Sequence, residues 1–229
     1  MPDLQSPGRD AASQRPGTAD REPTLRDDRI EPDLLASDVV FDGLVWNVRR
    51  DSFLLDGQQL TREYIDHPGA VAVLALDESD RVLLIKQYRH PVRSRDWELP
   101  AGLLDFEGES PLAAAQRELA EEADLVAERW TLLSDFMSSP GGSNEVIRIY
   151  LARGVSATAE TFDRVEEEAG IELRWVPLDH AVDAVLSHDL RNSILAIAVL
   201  SAHAGRARGW ETPAAADAAR SRHPLDVRG

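Results

Sequence analysis

The chain has 229 residues, a formal net charge of −16 and no cysteine, which suits one domain with a small appendage and excludes disulfides, thiol nucleophiles and cysteine–zinc sites. So acidic a chain is a poor match to a nucleic-acid backbone, which calls for clustered Lys and Arg, although it can handle a small phosphorylated ligand where metal ions offset the local charge. The N-terminal MPDLQSPGRD has no apolar signal region and no segment approaches about 18 uninterrupted apolar residues, so the expectation is a soluble cytoplasmic protein with neither membrane nor nucleic acid as partner.

Residues 1–35 carry five prolines (Pro2, Pro7, Pro16, Pro23, Pro32), many charges and few large apolar side chains, which predicts a disordered tail. FDGLVWNVRRDSFLLDGQQLTREYID then alternates apolar and polar residues around an Asp56-Gly57 turn and predicts an antiparallel β meander, a small domain over 36–66. GAVAVLALDESDRVLLIKQYR gives two apolar strands across an acidic turn. WELPAGLLDFEGE is broken by proline and glycine and reads as a loop. Ser110 and Pro111 open a helix, Ser as N-cap and Pro at the first helical position, with Leu112, Ala115, Leu119 and Ala123 at helical spacing. ERWTLLSDFM and VIRIYLARGV read as strands flanking the loop SSPGGSNE. IELRWVPLDH is a further strand, and two helices over roughly 179–188 and 191–206 close the main domain, 67–206. The stretch 207–229 reads as a flexible C-terminal tail. Strands with interspersed helices predict an α+β sandwich with a small N-terminal antiparallel sheet.

The stretch RELAEEADL, Arg117–Leu125, raises the chemical question. At about 100° per residue, Glu118 and Glu122 lie about 40° apart in projection and Glu121 about 60° to the other side of Glu118. Carboxylates this close repel unless something positive sits among them. Arg117 reaches Glu121 at i+4, which leaves Glu118 and Glu122 to point the same way. Leu119 and the alanines are expected to bury the opposite side. Hard oxygen ligands in such a cluster suit Mg²⁺ or Mn²⁺ rather than zinc or copper. Charge runs on helices are ordinarily solvated faces, so the wider pattern has to decide.

GLLDFEGESPLAAAQRELAEEADL resembles the Nudix box, G-x5-E-x7-R-E-U-x-E-E-x-G-U with U aliphatic, at Gly102, Glu109, Arg117, Glu118, Leu119, Glu121, Glu122 and Leu125. Two departures stand out. Six residues rather than five separate Gly102 from Glu109, and Asp124 replaces the final glycine. A left-handed backbone there costs Asp about 1 kcal/mol, so glycine at 124 is expected to stabilise the helix end. KQYRHPVRSRDWELPAGLLD and SSPGGSNEVIRIYLARG extend the resemblance to the ADP-ribose pyrophosphatase branch of Nudix hydrolases, mycobacterial-type, where a proline lies about fifteen residues past the box; here it is Pro140. The resemblance covers roughly residues 36–205.

The resemblance implies an α/β/α Nudix sandwich and metal-dependent hydrolysis of ADP-ribose to AMP and ribose 5-phosphate. It implies Glu118 and Glu122 as metal ligands, Glu121 as a third or supporting ligand, and the Ala101 carbonyl as a further one. It implies Glu145 as the acid that positions or deprotonates the attacking water, with Glu166, Glu167 and Glu168 as rivals. Arg89 corresponds to an arginine on the diphosphate, and Leu103 is a further substrate-binding candidate. Arg62 and Glu63 correspond to residues that hold the nucleotide across a homodimer interface, and Trp46 is a candidate for stacking on adenine. Trp97 and Trp175 read as core, and the histidines are unremarkable: His67 and His90 border loops near the site without ligand spacing. The alternatives are a Nudix hydrolase for another nucleoside diphosphate sugar, or a non-hydrolysing ADP-ribose sensor, which would be expected to have lost carboxylates of the box.

Overall fold

The computed structural model describes residues 25–159, 162, 170–211 and 214–217. Most of the two expected tails, together with Glu166, Glu167 and Glu168, lies outside the described residues. The chain divides into two units, 1–32 and 33–229; residues 25–32 of the first carry no helix or strand and are exposed.

The second unit opens with three strands, β1 (Asp33–Phe41), β2 (Asn47–Leu55) and β3 (Gln58–Asp66), paired antiparallel in chain order. The sheet thus begins inside the stretch expected as tail. Asp56 and Gly57 make the β2–β3 turn with φ of 50° and 77°, the positive pair that a two-residue hairpin requires.

The main sheet holds β4 (Ala70–Leu76), β5 (Arg81–Arg89), β8 (Leu125–Met137), β9 (Val146–Ala157) and β10 (Glu172–Pro177), in the order β10-β5-β4-β9-β8. Two short strands, β6 (Ser94–Glu98) and β7 (Ala101–Leu103), add to β5 and β4. β4 and β9 pair in parallel, their neighbours antiparallel. Every residue of β4 is buried, as expected of a strand covered on both faces. Its alternation sorts the core: Ala72 and Leu74 join one apolar cluster with Leu178 of α2 (Leu178–Leu186) and Leu195 of α3 (Ser193–Ala207). Val71 and Val73 join a second cluster with Ala115 and Leu119 of α1 (Pro111–Ala123). The result is a sheet between helix layers, as the resemblance implied, and both Trp97 and Trp175 pack against these clusters.

WELPAGLLDFEGE, expected as loop, contributes the end of β6 and all of β7. Pro100 separates them, and its carbonyl accepts the Val73 N–H at 2.8 Å. Pairing with distant strands decides these segments, not their composition. Part of the stretch expected as a flexible tail from 207 also lies on the sheet: β11 (Ala214–Ala215) pairs with Thr131 and Leu132 of β8, and the Arg153 guanidinium lies 3.8 Å over the Trp210 ring. No helix among the described residues is long and apolar enough to cross a membrane.

Candidate active site

Helix α1 starts as its sequence dictates. Ser110 Oγ accepts the Ala113 N–H at 3.1 Å, and Pro111 occupies the first turn, where its missing N–H costs nothing. The helix buries Ala114, Ala115, Glu118, Leu119, Glu122 and Ala123. Glu118 and Glu122 therefore sit within the buried arc, 9% and 3% exposed, and not opposite the apolar side as expected. β7 makes this possible. Gly102 presents bare backbone to Glu118, and a Cβ there would overlap the carboxylate. The neighbouring Ala101 N–H donates to Glu122 Oε2 at 2.9 Å.

Arg117 ties the cluster together. It donates to Glu118 at 2.6 Å and Glu121 at 3.0 Å through Nη1, and to both oxygens of Glu109 at 3.0 and 3.1 Å. Hydrogen bonding to Glu109 leads the causes that raise the guanidinium above its ordinary value, and the same bond lowers the Glu109 carboxyl. Glu109 is thus engaged with Arg117 despite the extra residue in the box loop, and Gly108 of that loop has φ 79°. Phe106 of that loop lies under the guanidinium, 4.7 Å from ring centre to Cζ. At the far end of α1, Asp124 is left-handed, φ 53° and ψ 38°. Its side chain is not idle: Oδ1 accepts the Phe162 N–H and its carbonyl the Thr158 N–H, each at 2.9 Å.

Among the described residues no three acidic or histidine side chains already stand in a coordinating arrangement. The donor set nevertheless fits a hard divalent cation. Two buried carboxylates and two further ones are gathered on a protein of net charge −16, and a single guanidinium contacts three of the four.

Beside Ala101 and Gly102 opens a cleft of about 550 Å³. It brings together Trp46, Arg89, Ala101, Leu103 and Glu145 from the sequence-predicted residues, and adds His67 and Glu98. Arg89 is held by Glu98, a residue 3% exposed, through bonds of 2.7 to 3.2 Å. Gln87 supports the same carboxylate at 3.3 Å. Glu145 accepts from Ser138 Oγ through Oε2 and lies 3.2 Å from His67 Nε2 through Oε1. Its own N–H donates to Ser143 Oγ at 3.1 Å. His67 is buried, and its ring is stacked on Trp46 with centroids 4.2 Å apart. The Gly69 N–H donates to His67 Nδ1 at 2.9 Å, which leaves the proton of the neutral ring on Nε2. Burial lowers the imidazole below its ordinary value, against the opposite pull of Glu145.

The end of β3 grips the Glu145 loop. The Ile65 N–H donates to Gly142 O at 2.9 Å and the Asn144 N–H to Ile65 O at 3.3 Å. Asn144 Nδ2 donates to Asp66 Oδ1, and the His67 N–H to Asn144 Oδ1, each at 2.8 Å. Arg49 of β2 donates to the other oxygen of Asp66 at 2.8 Å. Arg62 and Glu63 are not brought to this cleft. They line a separate one of about 530 Å³ with Pro140 to Asn144, where Arg50 donates to Glu63 at 2.8 Å.

Glu98 escaped the sequence reading, and His67, which borders a loop near the site, shows no ligand spacing there and gained no role. The one available signal for His67 was its place before Pro68-Gly69 at the head of an apolar strand; for Glu98 it was a charge flanked by Trp97 and Leu99.

Residues 66–196 match the NUDIX domain. An ADP-ribose pyrophosphatase of Mycobacterium tuberculosis is 40% identical over 171 residues, 74% of this chain and 82% of that protein. One from Bacillus subtilis is 33% identical over 171 residues, covering 74% and 91%. A crystal structure of an ADP compounds hydrolase superposes with a TM-score of 0.66 at 22% identity, over 81% of this chain and 100% of that one, and so shares the fold.

Proposed function

Because this chain belongs to the NUDIX family, with its motif carboxylates intact, we propose that it hydrolyses the diphosphate of ADP-ribose to AMP and ribose 5-phosphate. The observation that carries the reading is one of placement. Arg89 and Glu145 face one cleft, whose wall is the β7 edge that backs onto Glu118 and Glu122.

The diphosphate resists attack because its negative charge repels a nucleophile. Mg²⁺ or Mn²⁺ held by Glu118 and Glu122, with Glu121 and the Ala101 carbonyl in support, would neutralise phosphoryl oxygens and acidify water. Arg89, oriented by Glu98, contacts the diphosphate. Glu145 orients the attacking water and accepts its proton. Leu103 packs against the bound ligand, and Trp46 offers an aromatic edge beside it.

The assembly we propose is a homodimer. Leu34, Val39, Val40 and Phe41 of β1 and Leu44 beyond it are exposed apolar side chains on a sheet that alone would be marginal in water. A second copy buries them, and places Arg62 and Glu63 at the adenosine end of its partner's site.

A panel of ADP-ribose and other nucleoside diphosphate sugars, assayed with Mg²⁺ and with Mn²⁺, tests the reading. ADP-ribose is expected to give the highest kcat/KM, and Glu122→Gln to lower turnover by orders of magnitude with the fold kept. Binding without hydrolysis, or preference for another sugar nucleotide, would sink it. Attack on either phosphorus yields the same two products, so labelled oxygen from water, found in one product or the other, locates it.

A further inference from the structure

The geometry points to His67 as the residue that aims the Glu145 carboxylate, acting through it and not on the substrate. This rests on the reading of Glu145 as the base.

Four contacts fix the imidazole. Nδ1 accepts the Gly69 N–H at 2.9 Å, Nε2 lies 3.2 Å from Glu145 Oε1, one ring face stacks on Trp46, and the backbone N–H donates to Asn144 Oδ1. Asn144 immediately precedes Glu145, and its amide is held in turn by Asp66. Asp66 and His67 therefore hold Asn144 and Glu145 from side chain and backbone together. A buried histidine that merely filled space would need a partner for each nitrogen. Here the first partner sets the tautomer, and that tautomer leaves the remaining proton on Nε2, the nitrogen 3.2 Å from the carboxylate.

The identity of the donor matters. A guanidinium in this place would form an ion pair and weaken the carboxylate as a proton acceptor. A neutral imidazole, kept neutral by burial, stands 3.2 Å from one oxygen without discharging the group. With Ser138 on the other oxygen, the plane of the carboxylate is set before a water arrives. Proton transfer depends on that orientation, since the acceptor must lie within hydrogen-bond reach of the proton it takes.

A double-mutant cycle on the full chain, with ADP-ribose as substrate, provides the test. Glu145→Gln alone reports on the underlying reading: undiminished turnover overturns the role of Glu145 and this inference with it. Where Glu145→Gln is impaired, His67→Phe, which keeps a flat ring against Trp46, is expected to lower kcat about ten- to hundredfold, the usual effect of removing an orienting partner. KM should stay within about twofold, and the same change added to Glu145→Gln should cost less than about twofold more. His67→Gln, whose amide N–H reaches the neighbourhood of Nε2, should recover most of kcat, and the shorter His67→Asn should not. That pair decides the matter even if the Phe variant fails to fold. Equal losses in both backgrounds, a rise in KM with kcat kept, or equal rates for the Gln and Asn variants would overturn the inference.

Discussion

Gly102 of β7 stands where any side chain would strike Glu118 of α1: a Cβ there would overlap Oε1 and Cδ and come 2.8 Å from Cγ. The obstacle is a flexible side chain and not backbone, so Gly102→Ala displaces the carboxylate without breaking the sheet. Its melting temperature should stay close to native while its requirement for Mg²⁺ rises and kcat falls about tenfold or more. Activity titrated with Mg²⁺ alongside a thermal melt checks this. Collapse of the fold with normal turnover per folded molecule would show that Gly102 serves packing alone.

Arg117 compensates three carboxylates at once. Arg117→Gln should therefore lower the melting point by several degrees in a chelator, and by clearly less in saturating Mg²⁺, because the ion takes over part of the compensation. Equal loss in both conditions would contradict that exchange of charge.

His67 makes stability depend on pH in a defined direction. Unfolded, it titrates near 6.5; folded, burial lowers it, with Glu145 opposing. As pH falls below about 6.5, the unfolded chain takes up a proton that the folded chain resists. The contribution is thus complete above the unfolded value and is lost as pH falls toward the folded one. His67→Gln, which does not titrate, should lose stability less steeply over that window when urea midpoints are compared.

At Asp124 two effects oppose. Glycine would remove a left-handed strain of about 1 kcal/mol. It would also remove the acceptor for the Phe162 N–H, worth about 1 kcal/mol. Asp124→Gly should accordingly be close to neutral, where the sequence alone favoured stabilisation. Asp124→Asn should resemble the native protein, and Asp124→Ala, with strain kept and acceptor lost, should be the least stable. Urea denaturation ranks them, and turnover should be the same in all.

Mixed dimers test the shared pocket. An Arg62→Ala chain and a Glu122→Gln chain, each weakly active alone, should give a heterodimer with one site carrying both defects and one carrying neither. Recovery to about half of native activity per dimer is the expected result. A verified heterodimer without recovery would place each site within a single chain.

What was legible in the sequence was local. The α1 cap, the Asp56-Gly57 hairpin and the apolar run of β4 follow from neighbours a few positions apart, and all three stand in the structure. The motif spacing likewise located Glu118 and Glu122. What they face was hidden, because a glycine on another strand decides whether a carboxylate can lie in a buried arc. β6 and β7 were missed for a related reason: Pro100 looks like a loop until β4 and β5 supply the pairing. His67 and Asn144 meet across 77 positions, and no pattern in either segment announces the other.

The parallel pairing of β4 with β9 sets an order of assembly. β1, β2 and β3 form their ladders with chain neighbours, whereas Ala70 must wait for Ile147. A chain emerging N-terminus first can complete its small sheet while the main one still lacks a central strand. Phe41, 62% exposed in the finished chain, is on display from that moment. Two nascent sheets can then meet before either core has closed, and the same patch is open to misplaced association over that interval. The loop that bears Glu145 is held between β3 and β9, so it can settle only after the small sheet has formed.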